Sequence, residues 1–562
     1  MSEDMTLAKK VRAMFNKLEE IREPYEDDWE DIAKYVFYRR EFIDLDHEQG
    51  ESIARDKYDG TPQQAATNLV HGFQGYMVSQ SIDWMDLSFE DKELENYEEA
   101  MFWLEDLVHY FYEVFKETNF YDTVNDNLAD AVAFGTPCFY SENDDKFGKI
   151  VYSERHPIEI YVAENRYGQV DTIFRKYKMS AREIVKQFDE KNISRVVKED
   201  AEKPGRMYNE HLIIHGVFPN EDKVIGSMRG KDKPFRSVYI EEHSQDENIV
   251  LSDSGYDTNP YVVWRWDKNS TEWYGRSPSH NALPEILALN QIEKCLLEAV
   301  EKAVNPPMYV PGRHRGRLHL YPHGMNYYEN FDNERIEMIN QGLQLPIGME
   351  ERQDMRNKIR QYYFNDFFLI LSQLMQDKSK TATEVLELQG EKAAVIAPII
   401  GRFETRFLDP VIERTYQLEY EAGRLPEMPP VLEDYIRSEN SKGINIRYTG
   451  PLATIQERLY KTTGVTHTLS SLVPMAELQL ANAPILDKFD FDVMAEELAR
   501  TQGFPQRAMR GDREVEAIRQ ARAEAQQAQQ QMENLERASK AMPGMSKAIE
   551  KGSVLDKVEK SA

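Results

Sequence analysis

The sequence predicts an α+β protein that is mainly helical, and three observations support this class. Apolar residues recur every three or four positions through most of residues 6–135 and again from residue 279 onwards. Between about residues 150 and 270 the period shortens towards two, which is typical of strands. At the centre, two long helical stretches flank an insertion rich in proline and glycine, which predicts a projecting arm with an irregular module at its tip.

The N-terminal third is predicted to be helical with an aromatic-rich interior. A first helix covers residues 6–40, and Pro24 is expected to break it into two amphipathic pieces. The segment Tyr58-Asp59-Gly60-Thr61-Pro62 is typical of a turn that starts a second helix. A further helical run is predicted over residues 95–135.

The middle of the chain is predicted to be rich in strands. Residues 158–174 alternate in the pattern of a hairpin. Ser180 is expected to cap a short helix that follows it. Four further strands are predicted, at residues 211–218, 237–242, 249–252 and 261–266.

The arm opens at Tyr274-Gly275-Arg276-Ser277-Pro278. Its first helix is predicted over residues 279–305 and is ended by Pro306 and Pro307. The return helix is predicted over residues 349–375. The insertion between them contains too many helix breakers to continue either helix.

A polar break at residues 376–380 separates the arm from a third long helix. Pro398 and Pro410 are expected to bend this helix, and Gly423 to end it. A short strand is predicted over residues 444–448, and the last hundred residues are again predicted to be helical.

Composition limits the classes of function. The net charge of −29 and a pI near 5.0 argue against a protein that grips nucleic acid, although a duplex could slide past such a surface. The two cysteines, Cys138 and Cys295, are expected to be buried, reduced thiols. No apolar run reaches the roughly 18 to 20 residues of a membrane helix, and no signal peptide is expected.

No motif predicts catalysis. Residues 226–232 look faintly like a phosphate-binding loop, but Asp232 stands where a serine or threonine must hold magnesium, so a hairpin turn is expected instead. The carboxylates are not paired with histidine or cysteine at a catalytic spacing. The sequence therefore predicts no enzyme, no cofactor and no metal site.

One concentrated basic patch lies in the insertion of the arm. Its three histidines lack the matched spacing of metal ligands. Two interpretations stay open: a solvated loop, or a surface that docks an acidic partner or lies near DNA phosphates, and docking is preferred. The patch consists of Arg313, His314, Arg315, Arg317, His319 and His323.

Two further groups allow two interpretations each. Lys378 and Lys380 could serve only the dipole of the preceding helix, or could touch phosphates. An aromatic stripe could stack nucleic-acid bases, although helix packing between subunits explains it more simply. The stripe consists of Tyr362, Tyr363, Phe364, Phe367 and Phe368.

Several motifs together resemble the head-to-tail connector, or portal, proteins of short-tailed, T7-like bacteriophages. The resemblance covers residues 29–522, and the joint order of the motifs is specific although each motif alone is weak. The motifs are the arm-opening Tyr274-Gly275-Arg276-Ser277-Pro278, Asn305-Pro306-Pro307, Thr381-Ala382-Thr383-Glu384-Val385, Gly450-Pro451-Leu452-Ala453, Phe489-Asp490-Phe491-Asp492, Tyr58-Asp59-Gly60-Thr61-Pro62 with Trp84, and Gly168-Gln169-Val170-Asp171 with Arg175.

The resemblance implies a ring-forming portal fold, typically a dodecamer, whose stem helices surround a channel for double-stranded DNA. The clip of such a ring docks the terminase large subunit and later the tail adaptor. The implied regions are a wing at 1–272, a stem helix at 273–305, a clip at 306–348, a returning stem helix at 349–375, a tunnel loop at 376–380, a bent long helix with wing closure at 381–454, a crown at 455–540 and a flexible tail at 541–562.

The resemblance also suggests roles for residues. Arg313, His314, Arg315, Arg317 and His319 would belong to the docking surface of the clip, and Lys378, Ser379 and Lys380 to the tunnel loop. Stem packing is expected from Leu287, Ile292, Leu296, Ile359, Tyr363, Phe367 and Ile370.

Three functions are compared. The leading one is a portal at one capsid vertex of the virion, made in the host bacterial cytoplasm, that conducts DNA during packaging and ejection. Its implied partners are terminase, tail adaptor and tail tube proteins, major capsid and scaffolding proteins, and internal core proteins at the crown, with DNA not tightly bound and no membrane. The alternative is an internal core or scaffolding protein, which leaves the arm without a purpose. The third function, an enzyme acting on DNA, is disfavoured because the sequence has no phosphate-binding loop and no metal-binding constellation of carboxylates.

Overall fold

The computed structural model describes most of the chain before residue 437 and less of the remainder. The described residues are 2–37, 56–91, 94, 97–144, 148–224, 226–227, 229–242, 249–304, 308–309, 337–338, 345–368, 395–436, 443–450, 493 and 512–545. The chain forms two compact units, Met1–Leu459 and Tyr460–Ala562.

The first helix, α1, runs from Ser2 to Tyr35 without the break predicted at Pro24. Its first half is buried in one hydrophobic cluster through Phe15, and its second half in another through Trp29. Pro24 has no N–H to donate to the carbonyl four residues earlier in the helix. Because Pro24 lies on the exposed side of the helix, that carbonyl can accept a hydrogen bond from water instead. The prediction of two pieces was wrong because packing at both ends holds the helix together.

Three further helices complete the N-terminal third: α2 (Thr61–Met77), α3 (Glu98–Glu117) and α4 (Phe120–Phe134). The single helical run predicted over residues 95–135 is therefore interrupted at Thr118 and Asn119. Asn119 explains the interruption, because its amide group donates to the Tyr152 carbonyl at 2.7 Å and its side-chain oxygen accepts from the Tyr152 N–H at 3.1 Å.

The largest sheet has five antiparallel strands in the order β4-β5-β6-β7-β8. The N-terminal half of α1 covers one face, and the short helices α5 (Ala181–Gln187) and α6 (Arg195–Glu202) cover the other. Ser180 precedes α5 as predicted but makes no side-chain cap bond. The strands are β4 (Ile160–Glu164), β5 (Val170–Ser180), β6 (Glu210–Pro219), β7 (Phe235–Glu241) and β8 (Ile249–Tyr256).

Two smaller sheets border the helices. One has the order β3-β2-β9, and the other pairs β1 with β12. The strands predicted near residues 261–266 and 444–448 are confirmed, whereas β1, β2 and β3 were missed. The first four residues of β2 are all buried, so the alternation that predicts a strand is absent there. These strands are β1 (Met85–Phe89), β2 (Cys138–Asn143), β3 (Ile150–Arg155), β9 (Tyr261–Val263) and β12 (Ile444–Tyr448).

The hairpin turn predicted at residues 226–232 is confirmed, since this segment connects the antiparallel strands β6 and β7. The Ser227 hydroxyl donates to the Asp232 carboxylate at 2.6 Å. Asp232 therefore shapes the turn.

The arm consists of α7 (Pro278–Val304) and α8 (Leu345–Tyr362), with the two-residue strands β10 (Met308–Tyr309) and β11 (Glu337–Met338) between them in sequence. The predicted first helix of the arm is confirmed within a residue at each end. Cys295 lies on α7 and is exposed, whereas Cys138 is buried, so the prediction of two buried thiols was half wrong.

After the arm, residues 395–403 are helical and continue through a π turn at Glu404–Leu408 into α9 (Asp409–Glu421). The π turn has a physical cause: Pro410 lacks the N–H that the Arg406 carbonyl would accept in an α-helix. Gly423, with a φ of +67°, follows the end of the helix as predicted. Helix α10 (Pro430–Ile436) leads on towards β12.

In the second unit, α11 runs from Asp512 to Met545. It lies mostly in the predicted crown and extends five residues into the predicted tail. Across the described ranges, no helix is both long enough and apolar enough to span a bilayer.

Candidate functional site

The root of the arm is built from the Tyr274-Gly275-Arg276-Ser277-Pro278 motif. Tyr274 is buried beside Trp29, with ring centroids 5.5 Å apart, and its hydroxyl accepts from the Val162 N–H at 3.2 Å. Burial raises the pKa of the Tyr274 hydroxyl to about 12. Tyr274 thus joins the start of the arm to both α1 and β4.

Two serines attach α7 to the end of α4. The Ser277 hydroxyl donates to the Ala133 carbonyl at 2.7 Å, and the Ser279 hydroxyl donates to the Val132 carbonyl at 2.7 Å. Carbonyls in the last turn of a helix have no partner within the helix, so these serines satisfy acceptors that would otherwise be buried without one. The bonds fix where α7 leaves the body.

A close backbone crossing explains two glycines at the root. The Gly275 N–H donates to the Thr136 hydroxyl at 2.7 Å. A Cβ on Gly275 would lie 2.3 Å from the Gly135 carbonyl oxygen, and Gly135 has a φ of +79°. Any larger residue at either position would push the arm away from α4.

Arg276 adds charge pairs on the surface of the same motif. Its guanidinium lies 3.0 Å from Glu272 and 3.2 Å from Asp28 of α1. Its backbone pairs with Asp267 in an isolated antiparallel bridge. The beginning of the arm is therefore held by side chains and by backbone.

An ionic network joins both helices of the arm to the turn before α2. Arg356 of α8 bonds to Asp59 through both Nε, at 2.8 Å, and Nη2, and it lies 2.8 Å from Glu293 of α7. Arg352 lies 3.5 Å from the same glutamate. Burial disfavours the charge of Asp59, but hydrogen bonds from Thr61 and Arg356 outweigh it, so the pKa of this carboxyl lies below its usual value.

Helix α8 is interrupted within the predicted range of 349–375. The chain turns at residues 363–364, where Phe364 has a φ of +53°, and is helical again over residues 365–368, whereas residues 369–375 lie outside the described residues. Tyr363, within this turn, and Phe367, just after it, are both buried, and the Tyr363 hydroxyl donates to Ser279 at 2.8 Å. A left-handed residue that is not glycine is sterically unfavourable, so the surrounding packing must compensate for it.

The outer half of the arm is different, because apolar side chains there are exposed. Helix α7 presents Leu297, Val300 and Val304, the last with 71% of its surface exposed, and α8 presents Met349. At 100° per residue, the three α7 positions fall on the face that the helix buries nearer the root. The apolar stripe thus continues beyond the part of α7 that the described residues cover.

The structure separates the residues predicted for stem packing. Tyr363, Phe367 and Ile359 are buried, Ile292 and Leu296 are half-buried, and Leu287 is 36% exposed. Ile370 lies outside the described residues, as do the predicted tunnel-loop residues Lys378, Ser379 and Lys380 and the predicted docking residues Arg313, His314, Arg315, Arg317 and His319. Their roles stay predictions.

Three of the five residues of the aromatic stripe pack within the chain itself, so they are not available to stack bases. Tyr363, Phe367 and Phe368 are buried within the chain itself, and the Phe368 ring stacks on Tyr76 of α2 with centroids 6.1 Å apart. These rings therefore join the end of the arm to the body.

Sequence reasoning missed the residues that position the arm. Asp59, Arg356, Ser279 and Thr136 lie far apart in sequence, and no spacing rule joins them. The available signal was indirect: Asp59 and the arm-opening motif both lie in segments that carry the portal resemblance. Within the described parts of the chain, no cluster of three or more His, Cys, Asp or Glu side chains could hold a metal ion.

Comparison with known proteins gives a consistent result. A model of the family described as bacteriophage head to tail connecting protein matches residues 8–509. The chain is 27% identical to the portal protein of Salmonella phage epsilon15 over 519 residues, which cover 91% of this chain and 90% of that protein. It is 26% identical to the probable portal protein of Bordetella phage BPP-1 over 533 residues, which cover 93% and 92%.

Proposed function

This chain belongs to the bacteriophage head-to-tail connecting protein family, and from that premise we propose that it forms a ring at one capsid vertex through which double-stranded DNA is packaged and ejected. In this proposal α7 and α8 are the stem around the channel, with the clip between them in sequence. The role is structural, and the energy for packaging comes from the terminase that docks on the ring.

The exposed apolar stripe on the outer arm is the observation that carries the proposal. Leu297, Val300 and Val304 continue the buried face of α7 but are not covered by the part of the chain that the structure describes. Apolar area left in water costs roughly 25 cal/mol per Å², so neighbouring copies that covered the stripe would be stabilised. Helical arms standing side by side around an axis would cover it repeatedly.

The root of the arm supports the same proposal. A ring with a channel of fixed width needs each arm to leave the body in one direction. The bonds from Ser277 and Ser279 to α4, and from Arg356 to Asp59, fix that direction at three separate points. An internal core protein has no comparable need for a rigid, projecting pair of helices.

The partners follow from the regions. We propose that the clip docks the terminase large subunit and then the tail adaptor, using Arg313, Arg315 and Arg317. The tunnel-loop residues Lys378 and Lys380 would meet DNA phosphates transiently, since the charge of −29 disfavours tight binding. The crown would face internal core proteins, and the wing would face the capsid shell and scaffolding proteins.

Electron microscopy of the purified chain, with mass photometry on the same sample, tests the ring. We expect particles with a central hole and a mass near that of a dodecamer of the 65.6 kDa chain. Chains that stay monomeric at high concentration, even with scaffolding protein added, would contradict the proposal. Replacing Arg313, Arg315 and Arg317 by alanine should leave rings intact but weaken terminase binding; unchanged binding would refute the clip role.

A further inference from the structure

The small sheet formed by β1 and β12 has one closed edge and one open edge. The Thr449 N–H donates to the Trp84 carbonyl at 2.9 Å and the Glu90 N–H to the Gly443 carbonyl at 3.2 Å, which fixes the pairs that exchange ladder hydrogen bonds. In an antiparallel ladder, residue pairs that exchange hydrogen bonds alternate with pairs that do not. The backbone N–H and C=O groups of the residues between the bonded pairs therefore point to the outer edges of the sheet. On β12 the outward-facing residues are Ile444, Ile446 and Tyr448.

The corresponding edge of β1 is closed by a side chain. The Tyr112 hydroxyl of α3 accepts from the Met85 N–H at 2.7 Å and donates to the Met85 carbonyl at 3.0 Å. On β12, in the part of the chain that the structure describes, no strand pairs with the outer edge. Unpaired strand edges are templates for another strand, so this difference singles out β12.

A cavity of about 470 Å³ adjoins the same strand. Its walls are mainly apolar, and Ile444 and Ile446 of β12 line it together with Leu107, Phe111, Ile412 and Leu432. The last four are almost fully buried, so the cavity reaches into the core. Its volume is within the range of natural ligand sites, about 300–1,000 Å³.

The cavity opens to the surface beside a carboxylate. Ile444 is 37% exposed, and Glu413 of α9, which also lines the cavity, is partly exposed at its mouth. Burial, followed by the charge of Asp409, raises the pKa of the Glu413 carboxyl. A positively charged group on a ligand would relieve this unfavourable environment.

We propose that the outer edge of β12 and this cavity together bind an extended segment of a different polypeptide. The segment would add to β12 as a further strand through the backbone of Ile444 and Ile446. Its side chains two residues apart fall on one face, so two large apolar side chains would enter the cavity. A lysine or arginine at its end would pair with Glu413.

Each feature of this partner matches a feature of the site. A small apolar molecule would use the cavity but leave the strand edge unpaired, and a helix would offer no free backbone groups to β12. The acidic chain, with its net charge of −29, favours a basic partner over a second copy. The inference does not depend on the ring, because the sheet and cavity lie within Met1–Leu459.

Fluorescence anisotropy with the full chain tests the proposal. The probe is a fluorescein-labelled peptide, Lys-Leu-Thr-Leu-Thr-Lys, and its matched control is Lys-Leu-Leu-Thr-Thr-Lys, which has the same composition without the alternation. We expect the alternating peptide to bind at least tenfold more tightly. The exchange Leu432→Trp, which fills the cavity, should reduce binding at least tenfold, while Glu413→Gln should reduce it several-fold and lower its salt dependence.

Two variants separate site effects from misfolding. Ile446→Pro removes an outward N–H and should abolish peptide binding, whereas Ile446→Val keeps that N–H and should retain it, with both checked by circular dichroism. Absence of saturable binding, or equal binding of the two peptides, would overturn the proposal. Self-association of the chain that the peptide reverses, measured by analytical ultracentrifugation, would assign the site to a second copy instead and overturn the choice of partner.

Discussion

The inner and outer halves of the arm share the two helices α7 and α8, yet they are stabilised differently. Near the root, polar side chains such as Ser279 and Arg356 connect the arm to α4 and to the turn before α2. Further out, the same apolar face of α7 is left exposed by the described residues. The described residues thus complete the inner half, and under the proposed ring a neighbouring copy would complete the outer half.

The first part of this comparison, that the chain completes the inner half, predicts unequal results for two aspartate substitutions there. Phe367 is buried at the root, so Phe367→Asp places an unpaired charge in the core and should lower the free energy of unfolding by more than about 4 kcal/mol. Leu287 of α7 has 36% of its surface exposed, so Leu287→Asp should lower it by only about 1–2 kcal/mol. Urea unfolding of the two variants measures both values.

The ring assay separates the same pair further. Leu287→Asp should give a folded chain, and loss of rings from that chain would place Leu287 between subunits. If Phe367→Asp proved as stable as the unaltered chain, the segment after α8 would not be part of the core.

The next largest effect is expected in the ionic network at the root. Asp59→Ala leaves Arg356 without its most buried partner and should cost about 3 kcal/mol of unfolding free energy. The control Lys358→Ala removes an exposed pair with Asp354 and should cost less than about 0.5 kcal/mol.

A double-mutant cycle tests whether Asp59 and Arg356 act together. We expect a coupling energy above about 1 kcal/mol, and additive effects would show that the network does not hold the arm. Because folding lowers the pKa of Asp59, its contribution is fully present above the unfolded pKa and is lost as pH falls through the folded value.

The motifs predicted this architecture better than they predicted its attachment. The arm-opening motif placed the start of α7 correctly, and the family that the motifs suggested is confirmed by the match over residues 8–509. Helices and alternating strands are local patterns, so a single sequence carries them. Asp59 and Arg356 meet only after the chain has folded, and no local pattern encodes their distance.

The errors have the same origin. Pro24 and Asn119 each showed that packing or a side-chain bond outweighs local preference, by keeping one helix whole and dividing another. The break at residues 363–364 was missed because the apolar spacing continues past Tyr362. That spacing serves burial in the body after the turn at Phe364, a tertiary effect that periodicity does not distinguish from a longer helix.

A smaller effect is expected from pH at the root of the arm. Burial, followed by the charge of Arg276, lowers the pKa of His280 to about 4, and its Nδ1 lies 2.8 Å from the Ser277 hydroxyl. The folded chain keeps this histidine neutral while the unfolded chain protonates it near pH 6.5. Its contribution to stability is therefore complete above pH 6.5 and is lost progressively as pH falls towards 4.

Between pH 7.5 and 5, this effect should amount to about 2 kcal/mol of unfolding free energy. His280→Asn keeps an acceptor near Ser277 but does not titrate, so it should flatten the pH dependence by that amount. An unchanged profile in urea unfolding would show that His280 is accessible to protons in the folded chain.

The smallest effect on chain stability, and a decisive one for assembly, is expected from the outer stripe. Val300→Asp combined with Val304→Asp should lower the free energy of unfolding by only about 1 kcal/mol, because both side chains are largely exposed and the cost comes mainly from negative charge at the end of α7. Rings should nevertheless be lost, since two new carboxylates would have to be desolvated at every subunit interface. Lys302→Asp is the matched control, because it changes the net charge by the same amount from another face of α7 and should keep the rings. If the double variant still assembled, the stripe would lie outside the subunit interface, and the outer half of the arm would need another explanation for its exposed apolar face.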